Sequence, residues 1–368
     1  MRFVVILNEK AGKLGKHAPG ASPEELGEGF ARAGIEADIR VPKAEQINEF
    51  LQAAVAERPD AIIIGGGDGT VRCAAAALAD TGVTLGVLPL GTLNHFAKDL
   101  QMPAKPAEAI AVLAAGVTRE VDVGEVNGHV FINNCSLGAY AEAVRRRDRL
   151  REKRGLGKWW AMMRASFDEF RRLRRLRLRI KVERADAPSE ALSEGMGPSA
   201  HRGGRSQTSG LGSVRSTSEK IATPIVVIAN NRYSGHLFSQ NLRPTLNAGE
   251  LWLYTVHARQ HLAILRMMLQ SLFGRLDEAD HLAAEAAREI TIESDGTPVP
   301  IAADGEVLQL LPPFHFRTRP GALRVLAADP GDGERTAADG RQPAAHPSQR
   351  TLANAPTQVS GFRSRASR

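Results

Sequence analysis

The sequence predicts an α/β domain, a parallel sheet with flanking helices, followed by a mostly antiparallel β-sandwich. Three observations predict it. Over roughly the first 115 residues, short apolar runs alternate with stretches of helical spacing. From Arg119 onward the chain turns to short segments of alternating polarity separated by turn residues. Two of the apolar runs in the first part end in glycine-rich turns, Gly65–Thr70 and Gly91–Asn94. Strands that alternate with helices build parallel sheets, whereas closely spaced alternating strands build sandwiches.

Phe3–Leu7 is a continuous apolar run stopped by Asn8, the pattern of a strand buried on both faces. Glu24–Ala33 has helical character and ends at Gly34. Glu36–Val41 reads as a second strand and Glu45–Ala56 as a helix, with Ile47, Leu51, Ala54 and Val55 on one face. Ala61–Ile64 is a third strand, and Arg72–Ala79 an alanine-rich helix. Leu85–Leu88 and Ala107–Ala115 complete the alternation. Glu120–Val126 and Val130–Asn133 flank Asn127-Gly128, a pair that reads as a two-residue β-hairpin turn. Further strands are expected at Leu176–Val182, Ile225–Ala229, Leu251–Val256, Glu289–Ser294 and Val307–Leu310. The expected boundaries are residues 1–125 for the α/β domain, with a return at about 318–328, and 126–317 for the sandwich. Asp186–Ile221 and residues 329–368 are rich in small and polar residues and poor in aromatics. They are expected to be a disordered insertion and a disordered tail, because neither buries enough to offset ordering entropy.

The chain has 368 residues, of which 43% are hydrophobic and 24% charged, and a formal net charge of +7. That length supplies a substantial core and more than one domain. The basic balance suits an acidic partner, whether an anionic surface, a phosphorylated small molecule or nucleic acid. No base-reading module accompanies it, so no specific nucleic-acid role is expected. Cys73 and Cys135 lack neighbours at metal-ligand spacing and read as buried free thiols, in keeping with a reducing, cytoplasmic setting. The apolar run of MRFVVILNEK is too short for a signal peptide, and no stretch approaches the ~20 apolar residues of a membrane span. Arg145–Arg179 is strongly basic with Trp159, Trp160, Met162, Met163, Phe167 and Phe170 interleaved. It reads as a basic amphipathic helix that either lies on an anionic membrane or packs between domains.

Glycines at the end of a strand let a phosphate reach backbone N–H groups, and the helix that follows turns its positive end to the same place. In Gly65-Gly66-Gly67-Asp68-Gly69-Thr70 the carboxylate would repel a phosphate unless a cation stood between them. Mg²⁺ is that cation, since it binds through few carboxylates and through phosphate oxygens. The turn therefore reads as a site for ATP·Mg²⁺, with Asp68 near the metal and Thr70 capping the helix or touching phosphate. A tight glycine turn with a capping aspartate is the plainer alternative. Neither GxxxxGK[ST] nor GxGxxG is present at this turn. Gly91, Thr92 and Asn94 would stand at the same carboxyl edge of the sheet, where ligands bind in such folds.

The two turns together, Gly65–Thr70 and Pro89-Leu90-Gly91-Thr92-Leu93-Asn94, resemble the diacylglycerol kinase catalytic-domain family, which includes bacterial lipid kinases and the sphingosine and ceramide kinases. Asn8-Glu9-Lys10-Ala11-Gly12 is similar to the family's opening motif near the nucleotide, with Asn8 and Gly12 the matching residues. The resemblance implies an α/β nucleotide domain on a β-sandwich, a final strand near Leu323–Ala327 that returns to the first domain, and transfer of the γ-phosphoryl group of ATP to a lipid hydroxyl, diacylglycerol being the family default. It implies a bacterial, cytoplasmic enzyme of phospholipid metabolism at the inner membrane face. The family's late acidic motif matches Asp304-Gly305-Glu306, which makes Asp304 or Glu306 the candidate general base. This chain departs from the pattern at Glu9, Leu93 and His95, and it has Val41-Pro42-Lys43 where many members carry a nucleotide-contacting threonine. Asn247 and Ala248 stand where acids of a second, structural magnesium site are common, so no second metal is assigned. An NAD-kinase-like enzyme and a non-catalytic nucleotide or lipid sensor are the alternatives. The oligomeric state, a homodimer included, is left open.

Overall fold

The computed structural model describes residues 1–11, 20–138, 141–142, 144, 175–185, 214–234, 243–256, 282–295 and 299–328. In chain order its elements are β1 (Arg2–Leu7), α1 (Pro23–Arg32), β2 (Glu36–Arg40), α2 (Ile47–Ala56), β3 (Ala61–Gly66), α3 (Asp68–Leu78), β4 (Thr84–Pro89), α4 (His95–Asp99), α5 (Pro106–Ala115), β5 (Val117–Val126), β6 (His129–Phe131) and β7 (Asn134–Gly138). Then come β8 (Leu176–Ala185), β9 (Val214–Thr223), β10 (Ile225–Asn230), β11 (Leu251–Val256), β12 (Leu282–Ala287), β13 (Glu289–Ser294), β14 (Ile301–Ala303), β15 (Glu306–Leu308) and β16 (Phe314–Ala327).

These strands form a parallel α/β region and an antiparallel sandwich. β2, β1, β3 and β4 run parallel. β1 and β3 are apolar along almost their whole length because helices cover both faces, so five of six residues of β1 and all six of β3 are buried. Ser22 and Glu25 form a capping box that starts α1, whose buried Leu26 and Phe30 face the sheet. Phe30 meets Phe3 edge-on at 6.3 Å. A second core lies between the antiparallel part of this sheet and a six-stranded sheet in the order β12-β11-β10-β7-β14-β15. In β8 the sequence LRLRIKV alternates with period two, and Leu178, Ile180 and Val182 enter that core while the arginines and lysine face out. Phe131 and Phe316 pack edge-on there at 6.4 Å.

The long β16 joins the two regions. Val325 pairs in parallel with Leu85 of β4, whereas Phe314–Arg317 pair antiparallel with β13, and β5 runs along its other side. The family resemblance implied only its last residues, Leu323–Ala327, as a strand, whereas it begins at Phe314. The strand passes through Pro320-Gly321 as a bulge between Arg319 and Leu323, the setting in which a strand tolerates proline. Asp122 of β5 stitches the bulge. Its carboxylate, 1% exposed, accepts from Gly321 N–H at 2.9 Å, Gly249 N–H at 2.6 Å and Asn231 Nδ2 at 3.2 Å.

Several expectations are corrected. The insertion expected over 186–221 ends sooner, since Val214–Thr223 is strand β9, paired residue by residue with β8. Its polarity reflects an edge strand, with Ser216–Lys220 exposed, rather than absence of structure. Residues 186–213 and 329–368 lie outside the described residues, as does Arg145–Arg174 of the basic segment, while Leu176–Arg179 belong to β8. Helix α3 begins at Asp68, not Arg72. The second hairpin arm ends at Phe131, and β7 follows after Ile132-Asn133. β12, with sequence LAAEAA, has helical propensity but is a strand because β11 pairs with it throughout. Asn127 and Gly128 both have positive φ (46° and 84°), as the expected hairpin turn requires. Cys135 is buried, but Cys73 is only half-buried, and both are free thiols. Among the described residues no helix is long and apolar enough to cross a membrane.

Candidate active site

Register brings the sequence-predicted residues to one sheet edge. Leu7 is level with Gly65, Gly65 with Leu88 and Gly66 with Pro89, so three strands end together. Asn8 leaves β1 there. Its N–H donates to the Gly65 carbonyl at 2.9 Å and its Nδ2 to Thr70 Oγ1 at 2.9 Å, while its Oδ1 accepts from Lys10 N–H at 2.9 Å. Asn8 thus ties the end of β1 to the first turn of α3, and Thr70, itself buried, keeps a hydroxyl proton to donate. Gly12 lies outside the described residues.

The glycines serve packing as much as ligand access. A Cβ on Gly65 would lie 2.5 Å from the Leu7 side chain, and one on Gly66 would lie 2.7 Å from Thr70 Cβ. A Cβ on Gly91 would fall on the Cα of Gly67, so the two turns touch backbone to backbone. Because that obstacle cannot rotate away, Gly91→Ala is expected to cost about 1–3 kcal/mol, read as a lowered midpoint in urea unfolding. Gly67 is the N-cap of α3 with extended backbone and no side-chain cap, which leaves the first-turn N–H groups to an incoming anion.

Asp68 joins the turns. Its Oδ1 accepts from the backbone N–H of His95 at 2.7 Å, the first residue of α4. Its other oxygen has no protein donor among the described residues. One such carboxylate beside an uncapped helix N-terminus fits Mg²⁺, which takes most of its ligands from phosphate and water. Among the described residues no group of three or more His, Cys, Asp or Glu is placed to hold a metal by itself. Asn94, in the left-handed region at φ 52°, closes its own turn. Its Oδ1 accepts from Gly91 N–H at 3.0 Å, and its Nδ2 donates to the Gly91 carbonyl at 3.0 Å and the Pro89 carbonyl at 3.3 Å. Thr92 and His95 are exposed at this edge. In the 243–250 segment, Asn247 Oδ1 accepts from Thr245 Oγ1 at 2.7 Å, Ala248 N–H donates to Asn231 Oδ1 at 3.1 Å, and Glu250 Oε1 accepts from Trp252 Nε1 at 2.6 Å.

Asp304-Gly305 forms the turn of the β14–β15 hairpin, both with positive φ (48° and 79°). The two acids of this motif are placed differently. The Asp304 carboxylate anchors the 132–134 loop, with Oδ2 accepting from Ile132 N–H at 2.8 Å and Oδ1 from Asn133 and Asn134 N–H at 2.8 and 3.1 Å. Burial pushes its carboxyl above the ordinary carboxylate value, and these amides pull the other way. Both of its oxygens are therefore occupied. Glu306 instead stands half-exposed against α3. A Cβ on Gly69 would overlap its carboxylate, and its Oε2 accepts from Arg72 Nη2.

The sequence reading missed three residues that build this site: Arg72, Asp99 and Arg243. Arg72 was hidden in an alanine-rich helix, where a single arginine reads as surface. Arg243 is fully buried and makes a fork to Asp99, Nε at 3.0 Å and Nη2 at 2.6 Å from Oδ2. It also donates to the carbonyls of Ile132 and Asn230 at 2.5 and 2.8 Å and to Asn133 Oδ1 at 3.1 Å, and it lies over the Phe96 ring. It thereby locks α4 to the loop that Asp304 holds.

Two touching glycine turns at the edge of a parallel α/β region meet a sandwich hairpin that brings the Glu306 carboxylate to one of them. The diacylglycerol kinase catalytic domain profile matches residues 2–126, and that of the YegS C-terminal NAD kinase β-sandwich-like domain matches residues 134–327. This chain belongs to the family that joins these two domains. It is 38% identical over 128 residues to a protein of Pseudomonas aeruginosa named probable lipid kinase YegS-like, covering 33% of this chain and 42% of that one. It is 37% identical over 117 residues to the diacylglycerol kinase of Bacillus subtilis, covering 31% of this chain and 36% of that one. The aligned part thus spans less than half the length of these two relatives. The crystal structure of a diacylglycerol kinase from Bacillus anthracis shares the fold, with a TM-score of 0.63 at 22% identity over 90% of this chain and 98% of that one.

Proposed function

We propose that this protein is an ATP- and Mg²⁺-dependent lipid kinase that transfers the γ-phosphoryl group to a lipid hydroxyl, with diacylglycerol as the favoured acceptor. The observation that carries this reading is the seat of Glu306, a sandwich carboxylate set against Gly69 at the uncapped start of α3. The first-turn N–H groups of α3 and the Thr70 hydroxyl hold the phosphates, and Gly91–Asn94 form the neighbouring wall. Asp68 would hold a Mg²⁺ ion, which when bound would supply positive charge against the phosphates. Glu306 takes the hydroxyl proton as the acceptor oxygen bonds to the γ-phosphorus, while the bond from that phosphorus to the bridging oxygen breaks and ADP leaves. Asp304, with both oxygens engaged, positions the hairpin rather than taking the proton. The part of the basic segment before β8 would hold the protein at an anionic inner-membrane surface, so that the acceptor enters from the bilayer.

The test is ATP turnover by purified protein on mixed micelles carrying diacylglycerol, phosphatidylglycerol or a sphingoid base, with NAD in parallel. Glu306→Gln keeps size and removes the basic oxygen. Lipid-dependent turnover that falls roughly a hundredfold in this variant, with ATP binding retained, is the expected result. Turnover on NAD alone would overturn the lipid acceptor. ATP binding without turnover on any acceptor would make the protein a nucleotide sensor.

A further inference from the structure

Glu306 sits on a three-residue strand just after a turn, and its side chain is 49% exposed. A glutamate so placed samples several rotamers unless something holds it. Two residues of α3 hold it, and they stand three apart on one helix face. Gly69 offers bare backbone against which the carboxylate packs, and Arg72 Nη2 donates to Oε2. The Arg72 side chain is only 14% exposed, so the cation comes from packed surroundings, where its rotamer is restricted and water screens it little. Arg72 Nε is buried, and among the described residues no protein group accepts from it. The guanidinium is therefore held by its surroundings in the position from which it pairs with Glu306.

We propose that Arg72 is the positioning residue for Glu306, fixing the carboxylate over the start of α3 with its proton-accepting oxygen Oε1 toward the glycine turn. This rests on the reading of Glu306 as the proton acceptor. Arg72 makes no contact with the reacting atoms in this assignment and acts through Glu306 alone. Arginine suits the role because its planar fork holds one geometry, whereas lysine supplies charge on a flexible stem.

The experiment compares Arg72→Gln, Arg72→Lys, Glu306→Gln and the Arg72→Gln/Glu306→Gln double variant, measuring kcat and KM for ATP and for the micellar lipid. Thermal melts run alongside. In Arg72→Gln, kcat is expected to fall about tenfold to a hundredfold while both KM values stay within about threefold. Arg72→Lys should recover part of that loss. In the Glu306→Gln background, Arg72→Gln should cost nothing further, because the residue it acts through is already gone. If Arg72→Gln does not fold, the kcat of Arg72→Lys and its dependence on Glu306 carry the same test. Losses that multiply in the double variant would overturn the proposal, as would a raised KM for ATP at unchanged kcat, which would make Arg72 a phosphate ligand. An unchanged kcat in Glu306→Gln would instead overturn the assignment of Glu306 itself, whatever Arg72 does.

Discussion

Asp68→Asn is expected to lower kcat roughly a thousandfold or more, equivalent to about 4 kcal/mol of transition-state stabilisation, while leaving the fold intact. On the proposed reading the two consequences separate, because one Asp68 oxygen holds a backbone N–H and the carboxylate charge is left for the cation. Oδ1 accepts from His95 N–H and so sets where α4 begins. An asparagine carbonyl can accept the same hydrogen bond, so the junction of the two glycine turns survives. The negative charge does not survive, and with it goes the reason for a divalent cation to sit against the phosphates. Asp68→Ala is a poorer probe, since it also leaves the start of α4 without its acceptor. Steady-state turnover with a Mg²⁺ titration, beside a thermal melt, checks the prediction. A loss of activity matched by a large fall in melting temperature would mean that Asp68 serves structure first. Near-normal turnover at saturating Mg²⁺ would remove it from the metal site.

Arg243→Met is expected to destabilise the protein by roughly 3–5 kcal/mol, because it strands the Asp99 carboxylate without a counter-charge. The pair is buried on both sides, with side-chain exposures of 0% and 5%. The same substitution removes the donors to Ile132, Asn230 and Asn133, which belong to the loop and strand around the Asp304 anchor. The melting temperature should drop by about 10 °C, given a few degrees per kcal/mol in a chain of this size. Replacing both partners with apolar residues should recover a good part of the loss, since the unpaired charge is then gone. Urea unfolding of the two single variants and the double variant measures this. A cost below about 1 kcal/mol for Arg243→Met would mean that water reaches the pair in solution.

What could be read without coordinates follows from how local each cause is. β1 and β3 were legible because a strand buried on both faces must be apolar along its length, and β8 because a strand buried on one face must alternate. Asn127-Gly128 was legible because few residue pairs accept two positive φ values in succession. Asp68, Thr70 and Gly91 were proposed as candidate site residues because glycine turns after buried strands leave few other uses for polar groups at a sheet edge, and Asn8 through its match to the family's opening motif. β9 was missed because an edge strand exposed along Ser216–Lys220 carries no hydrophobic period, and its pairing with β8 alone makes it a strand. β16 was half missed because a bulge held by Asp122 lets Pro320-Gly321 sit inside a strand.

The sequence by itself determined the class of the two regions and the sheet edge at which the two glycine turns lie, since each is written in short-range pattern and turn chemistry, while the acidic motif was found through the family resemblance. Only the tertiary structure decided which acid of Asp304-Gly305-Glu306 faces the glycine turn, because the two differ in what surrounds them rather than in type. It also decided that Arg72 pairs with Glu306 and Arg243 with Asp99. Those partners lie 234 and 144 positions apart in the chain, and no local pattern records contacts that form only when distant strands close the same sheet edge.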